Sequence, residues 1–141
     1  MRLRLFAFLL AALVGPFGTA AAQDFKVIAN PSVTAADAPA DAIAKVFTKQ
    51  SKKLPDGSTV TPADLGKDSP VRAAFTRAVH GKSVSAIETF WQQQIFSGKE
   101  VPPATKNSDA EMLAWVRSTP GAIGYVSGGA SIDGVKVIAV K

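Results

Sequence analysis

Apolar positions along this chain recur with two spacings, and each predicts its own kind of element. Short apolar runs bounded by turn residues predict strands at Phe25-Lys26-Val27-Ile28-Ala29, at Ala122-Ile123-Gly124-Tyr125-Val126 and at Val135 to Val140. Helical spacing joins Ile43, Val46 and Phe47, then Val71, Ala74, Phe75 and Ala78, then Val84, Ile87, Trp91 and Ile95, then Met112, Trp115 and Val116. These four stripes predict four helices. Their starts are marked by Pro39 as a first helical residue, by Ser69-Pro70, by Ser83 or Ser85, and by Ser108. Ser85 with Glu88 and Ser108 with Glu111 have capping-box spacing. Asn30-Pro31 ends the first strand, Gly98 ends the third helix and Pro120-Gly121 ends the fourth. Thr59-Val60-Thr61 and Val101-Pro102-Pro103 read as extended, and Leu54-Pro55-Asp56-Gly57, Ser127-Gly128-Gly129 and Asp133-Gly134 as turns. Gly124 removes a side chain inside a buried strand, which marks close approach of another backbone or a ligand. Strands alternating with helices predict one α/β layer structure, helices packed on a small mixed sheet.

The first residues follow a different logic. Arg2 and Arg4 make a positive start, Leu5 to Val14 an apolar run, and Ala20-Ala21-Ala22 a small-residue site. This is the order of a cleavable signal peptide, residues 1–22, with Gln23 as the new terminus. The apolar run is short of the roughly 20 residues that span a bilayer. The rest of the sequence holds no apolar run of spanning length, so no membrane span is expected after cleavage. The processed domain, residues 23–141, has a length that suits one domain and not two lobes. Cysteine is absent, which excludes disulfides and thiolate chemistry and, with an export signal, points to a bacterial periplasm.

Charge and candidate chemistry change this picture little. Without Arg2 and Arg4 the processed chain carries 14 Lys and Arg against 11 Asp and Glu, a net of +3. That excess can attract an anion or simply clothe a solvated surface. Lys49, Lys52 and Lys53 fall where a helix ends and suit its dipole. No basic stripe interleaved with aromatics points to nucleic acid. His80 is the only histidine, so a zinc site is not expected. Its neighbours Ser83 and Ser85 could mimic a Ser–His pair, but a helix-terminal His is the plainer reading. Asp37 with Asp41 and Asp109 with Glu111 read as dipole-stabilising acids at helix starts, not catalytic carboxylates. Phe75, Phe90, Trp91, Phe96 and Trp115 read first as core and second as a pocket lining. No cofactor is implied.

Several weak motifs gain specificity from their order. Phe47, the Pro55-Asp56-Gly57 turn, Ser69 with Arg72 and Phe75, Trp91 with Phe96-Ser97-Gly98, and Thr119-Pro120-Gly121-Ala122-Ile123-Gly124-Tyr125-Val126 follow one another along the chain. Together they resemble the second half of periplasmic phosphate-binding proteins of ABC transporters, and more closely a short, one-lobe group of their relatives. The resemblance runs from about Phe25 to Tyr125. It implies a single lobe of a periplasmic-binding-protein-like (type II) fold and a non-enzymatic binding role.

In the two-lobe relatives phosphate sits between the lobes, held on this side by an Arg and by a Ser-Gly-Thr turn at a helix start. Here that turn corresponds to Ser69-Pro70-Val71. Only the Ser is kept. Pro70 removes a backbone donor, Val71 removes a hydroxyl, and Leu65 stands roughly where the Arg is expected. The resemblance therefore implies Ser69, Val71 and Arg72 as the anion site, although a simple helix cap is the plainer reading of Ser69. Asp68 beside the same helix start repels an anion. Two readings follow: a lobe that binds phosphate or another oxyanion weakly, or an envelope interaction module that kept the fold and lost the ligand. A permease or another envelope protein would be the partner, and two chains could pair to rebuild the cleft. A hydrolase built on His80 is the remote third.

Overall fold

The computed structural model describes residues 24–141; the expected signal peptide, residues 1–22, lies outside them. Six strands, β1 (Phe25–Ala29), β2 (Asp37–Ala38), β3 (Thr61–Leu65), β4 (Ala104–Lys106), β5 (Ala122–Ser127) and β6 (Lys136–Val140), form one sheet in the order β2-β6-β1-β5-β3-β4. Its centre is β1 (Phe25–Ala29), antiparallel both to β5 (Ala122–Ser127) and to β6 (Lys136–Val140). Val27 stands opposite Tyr125 on one side and Ile138 on the other. The buried runs FKVIA and AIGYV thus pair as central strands, covered on both faces.

Three strands escape the apolar pattern. β2 (Asp37–Ala38) runs parallel to β6, so Asp37 lies in a strand and not at a helix start; its carboxylate meets Lys141 Nζ at 2.9 Å. β3 (Thr61–Leu65) extends the short segment expected at 59–61 and pairs in parallel with β5 and β4 (Ala104–Lys106). Pro62 and Asp64 disguise β3, because neither residue favours a strand.

The helices are α1 (Ala40–Phe47), α2 (Pro70–Phe75), α3 (Val84–Phe96) and α4 (Asp109–Ser118). Pro39 stands one position outside α1 as its cap. α2 runs on into a π-helical stretch, Thr76–His80. The buried positions along both are Arg72, Phe75, Thr76 and Val79, so Ala78, expected on the apolar stripe, faces solvent. The wider turns of the π stretch shift the stripe away from the 3.6 period. In α3 the cap is Ser83, whose Oγ accepts from Ala86 N at 3.1 Å; the Ser85–Glu88 box is not formed. Ile87 and Trp91 are buried as expected, but Ile95 is 53% and Phe96 96% exposed, because the C-terminal end of α3 leaves the core. In α4, Met112 and Val116 point into the core and Trp115 is half-buried beneath Lys106.

Phe75 sits at the middle of the packing. It stacks on Tyr125 at 3.8 Å between ring centres and meets Phe25 and Phe47 edge-on or tilted. Gly124 makes room for a side chain and not for the backbone or ligand expected there: a Cβ would collide with Met112 Sδ. Gly121, at φ 76°, makes the turn from α4 into β5 that a β-carbon would strain. Buried Asn30 clasps the end of α4, donating through Nδ2 to Val116 O at 2.8 Å and to Arg117 O at 3.1 Å.

Candidate functional site

Parallel pairing of β3 with β4 places the carboxyl ends of both strands at one end of the sheet. β3 ends at Leu65 and passes through Gly66-Lys67-Asp68 to Ser69, the cap of α2. β4 ends at Lys106 and passes through Asn107 to Ser108, the cap of α4. Two helix starts therefore open on one mouth of about 380 Å³, lined by Leu65 to Ser69 and Asn107 to Asp109. Ligands of open α/β sheets settle outside such strand ends, and helix starts present free N–H groups and a favourable dipole to anions.

The detailed chemistry of the mouth is mixed. Ser69 Oγ accepts from Arg72 N at 3.2 Å and Ser108 Oγ from Glu111 N at 3.1 Å, so both serines cap, and each hydroxyl keeps a proton to donate. Glu111 Oε2 accepts from Asn107 N at 2.8 Å, one residue before the cap and not from Ser108 itself. Lys67 is the one cation of the mouth, against the carboxylates of Asp68 and Asp109. Asp109 is held by Ser127, accepting from its backbone N at 3.1 Å and from its hydroxyl.

Of the three residues the resemblance implies, Ser69 alone lines the mouth with its side chain. Val71 is half-buried and packs on the core. Arg72 is buried, and its guanidinium is engaged behind the mouth. Nη1 donates to Leu65 O at 3.2 Å, Nη2 to Glu88 Oε1 at 2.8 Å, and Nε lies 3.9 Å from Asp64 Oδ1. Tyr125 OH donates to Asp64 Oδ1 at 2.6 Å and accepts from Leu65 N at 3.2 Å. Burial pushes Asp64 above the ordinary carboxylate range, with Arg72 and the Tyr125 hydroxyl opposing. Burial also raises the Tyr125 phenol, helped by the adjacent Asp64 charge. The amide N–H and the carbonyl of Leu65 are thus both clamped by buried side chains.

Sequence reasoning missed this clamp. Asp64 lies in a strand the apolar pattern did not show, and Tyr125 read only as a buried strand residue. The Asn107–Ser108 side of the mouth was also missed. Its capping box was legible, but bringing it to Ser69 requires the β3–β4 pairing. His80 ends the π stretch half-buried, edge-on to Phe75 at 5.7 Å, and burial with nearby Lys82 and Arg72 lowers it to about 4. Among the described residues no cluster of three or more His, Asp or Glu could hold a metal, and no helix is long and apolar enough to cross a membrane.

No protein-family model matches the chain, and no curated protein matches it significantly. Solved structures do. An ABC-type phosphate transport receptor from Vibrio cholerae superposes with a TM-score of 0.64 at 14% identity, over 83% of this chain and 46% of its own. PstS from Borrelia burgdorferi gives 0.57 at 15% identity, over 84% of this chain and 47% of its own. The chain spans under half the length of either protein. At such identities the likeness shows the fold: a single α/β lobe, its mixed sheet flanked by helices, of the kind found in phosphate-transport solute-binding proteins.

Proposed function

We propose that this chain is a non-enzymatic, periplasmic binding lobe that takes an oxyanion weakly at the mouth between Ser69 and Ser108, phosphate being the first candidate. One observation carries the reading: two serine-capped helix starts open on the same mouth at the carboxyl ends of β3 and β4. The Ser69 hydroxyl and the Val71 N–H would donate to the anion. Arg72 would contribute from behind, by holding Leu65 in place through its carbonyl. A permease or another envelope protein would receive the loaded lobe.

Weakness follows from what the mouth lacks. Each charge-assisted hydrogen bond lost costs about 1.5–3 kcal/mol, and every ~1.4 kcal/mol is a decade in affinity. Leu65, Pro70 and Val71 replace two donating side chains and one backbone donor of the resembled pattern. Asp68 adds repulsion of about 1 kcal/mol at contact distance in water. Phosphate should therefore bind in the high micromolar range or more weakly. Calorimetry at low salt on the wild type, Asp68→Asn and Ser69→Ala tests this: Asp68→Asn should tighten binding several-fold and Ser69→Ala weaken it. Nanomolar binding by the monomer, or the same affinity in all three proteins, would place the ligand elsewhere. A second reading, an envelope accessory module without a solute, is favoured by the engagement of Arg72 with Glu88 and Asp64, and silent calorimetry with millimolar phosphate would select it.

A further inference from the structure

Beside the mouth a second cleft, of about 150 Å³, lies between α3 and the end of the sheet, walled by Trp91, Ile95, Pro102, Pro103 and Thr105 with buried Arg72 behind them. Two of its side chains carry buried donors with no partner, Arg72 Nε and Trp91 Nε1. Arg72 is 5% and Trp91 3% exposed, so both donors are cut off from bulk water. Asp64 Oδ1, at 3.9 Å from Arg72 Nε, is too far to accept a hydrogen bond. Buried donors left unpaired cost free energy that an acceptor placed in the cleft would recover.

The surroundings say what kind of acceptor fits. Arg72 is the one cation of the cleft, against the carboxylates of Asp64 and Glu88, so an anion gains little there and a neutral carbonyl is favoured. β4 is the last strand of the sheet, paired on one side only, with Ala104 and Thr105 exposed. Pro102 and Pro103 hold the approach to β4 extended and donate no N–H of their own. Just before them stand Ile95, Phe96 and Val101, at 53%, 96% and 57% exposure, three of the four large apolar side chains that face solvent among the described residues. An open strand edge, a pocket beside it and apolar anchors are the parts of strand-addition recognition.

We propose that the α3–β4 face binds an extended, uncharged polypeptide segment of a partner protein. The segment adds as a strand along β4, sets an amide carbonyl against the Trp91 and Arg72 donors, and covers Phe96 and Ile95 with an apolar side chain. This does not depend on what the mouth binds, since the two openings are separate.

The test is an NMR titration of the 15N-labelled protein with the capped peptide acetyl-Thr-Val-Thr-Val-Thr-amide, with sodium acetate and phosphate in parallel. The peptide should shift the Trp91 indole N–H and the backbone N–H signals of Ala104 to Lys106 saturably. Phe96→Ser, at a site that folding does not bury, should weaken the effect at least fivefold, and Trp91→Phe should weaken it while keeping the aromatic packing. Absence of a saturable shift at millimolar peptide, or equal binding by Phe96→Ser, would overturn the proposal. Larger indole shifts with acetate or phosphate would make the cleft an anion subsite instead. Movement of the same signals with protein concentration alone would give the face to a second copy of the chain and would equally refute it.

Discussion

Replacing Arg72 by Met tests the buried clamp behind the mouth. Methionine fills much of the same space but carries no charge and no donor. Three things change at once. Leu65 O loses its partner at 3.2 Å and stays buried, which costs about 1–3 kcal/mol. Glu88, whose side chain is 40% exposed, returns to water at little cost. Asp64 keeps the Tyr125 hydroxyl but loses the nearby positive charge. Removing one partner of a buried ion pair typically costs 3–5 kcal/mol. These effects overlap in one network and do not add, so about 3 kcal/mol at pH 7 is expected, a large share of an ordinary domain's stability.

The loss should depend on pH. Asp64 is already raised by burial, and Arg72 opposes that rise. Without Arg72 its folded pKa climbs further. A carboxyl whose folded pKa exceeds its unfolded value contributes stability that is complete below the unfolded value and is lost as pH rises through the folded one. Between pH 4.5 and pH 8 the penalty of Arg72→Met should thus be smallest at the acid end, where the loss at Leu65 O remains, and grow as pH rises. Urea melts across that range, on the wild type, Arg72→Met and Arg72→Met with Asp64→Asn, measure it. The double variant should recover more than half of the loss at pH 7. Arg72 also bears on His80, but the double variant keeps that effect, so the comparison isolates Asp64. A penalty that is flat with pH, or a double variant no better than the single, would refute the account.

Two further outcomes follow from burial. Trp91→Ala should cost about 3 kcal/mol, the lower end for emptying a large aromatic site, because the cleft beside it lets water enter; a loss below about 1 kcal/mol in urea melts would contradict its burial. His80, lowered to about 4 from an ordinary 6.5, contributes stability that is present above 6.5 and lost as pH falls through about 4. His80→Gln should flatten that acid limb by on the order of 1–3 kcal/mol, and parallel melting profiles of the two proteins would count against it.

What could be read from the sequence followed burial symmetry. β1 and β5 are covered on both faces, so their apolar runs announced them. α1 and α4 each bury one stripe, and helical spacing found those stripes. β3 and β4 were hidden because one carries Pro62 and Asp64 and the other only Ala, Thr and Lys. Ile95 and Phe96 continue a helical pattern past the point where anything covers it, and no spacing reports that the core has ended. Leu65 stood out only as a missing arginine. In the fold its backbone is the point on which Arg72 and Tyr125 close, from residues 7 and 60 positions away.

The distribution of charge bears on how such a lobe could be closed. Residues 23–141 carry a net positive charge, yet the mouth sets Lys67 against Asp68 and Asp109. Lys49 and Lys52 lie beside Thr61, where β3 begins, while the mouth lies where it ends. These lysines and the mouth therefore sit at opposite ends of one strand, and Lys49 is paired there with Glu100 at 3.7 Å. A second copy placed mouth to mouth would set Asp68 and Asp109 against their own counterparts, each contact costing about 1 kcal/mol even in water. A copy placed head to tail would make a heterologous contact, which closes only as a ring and otherwise runs on as a filament. The surface that best completes this mouth is therefore one that brings cationic donors of its own, since Lys67 is the mouth's one cation against Asp68 and Asp109.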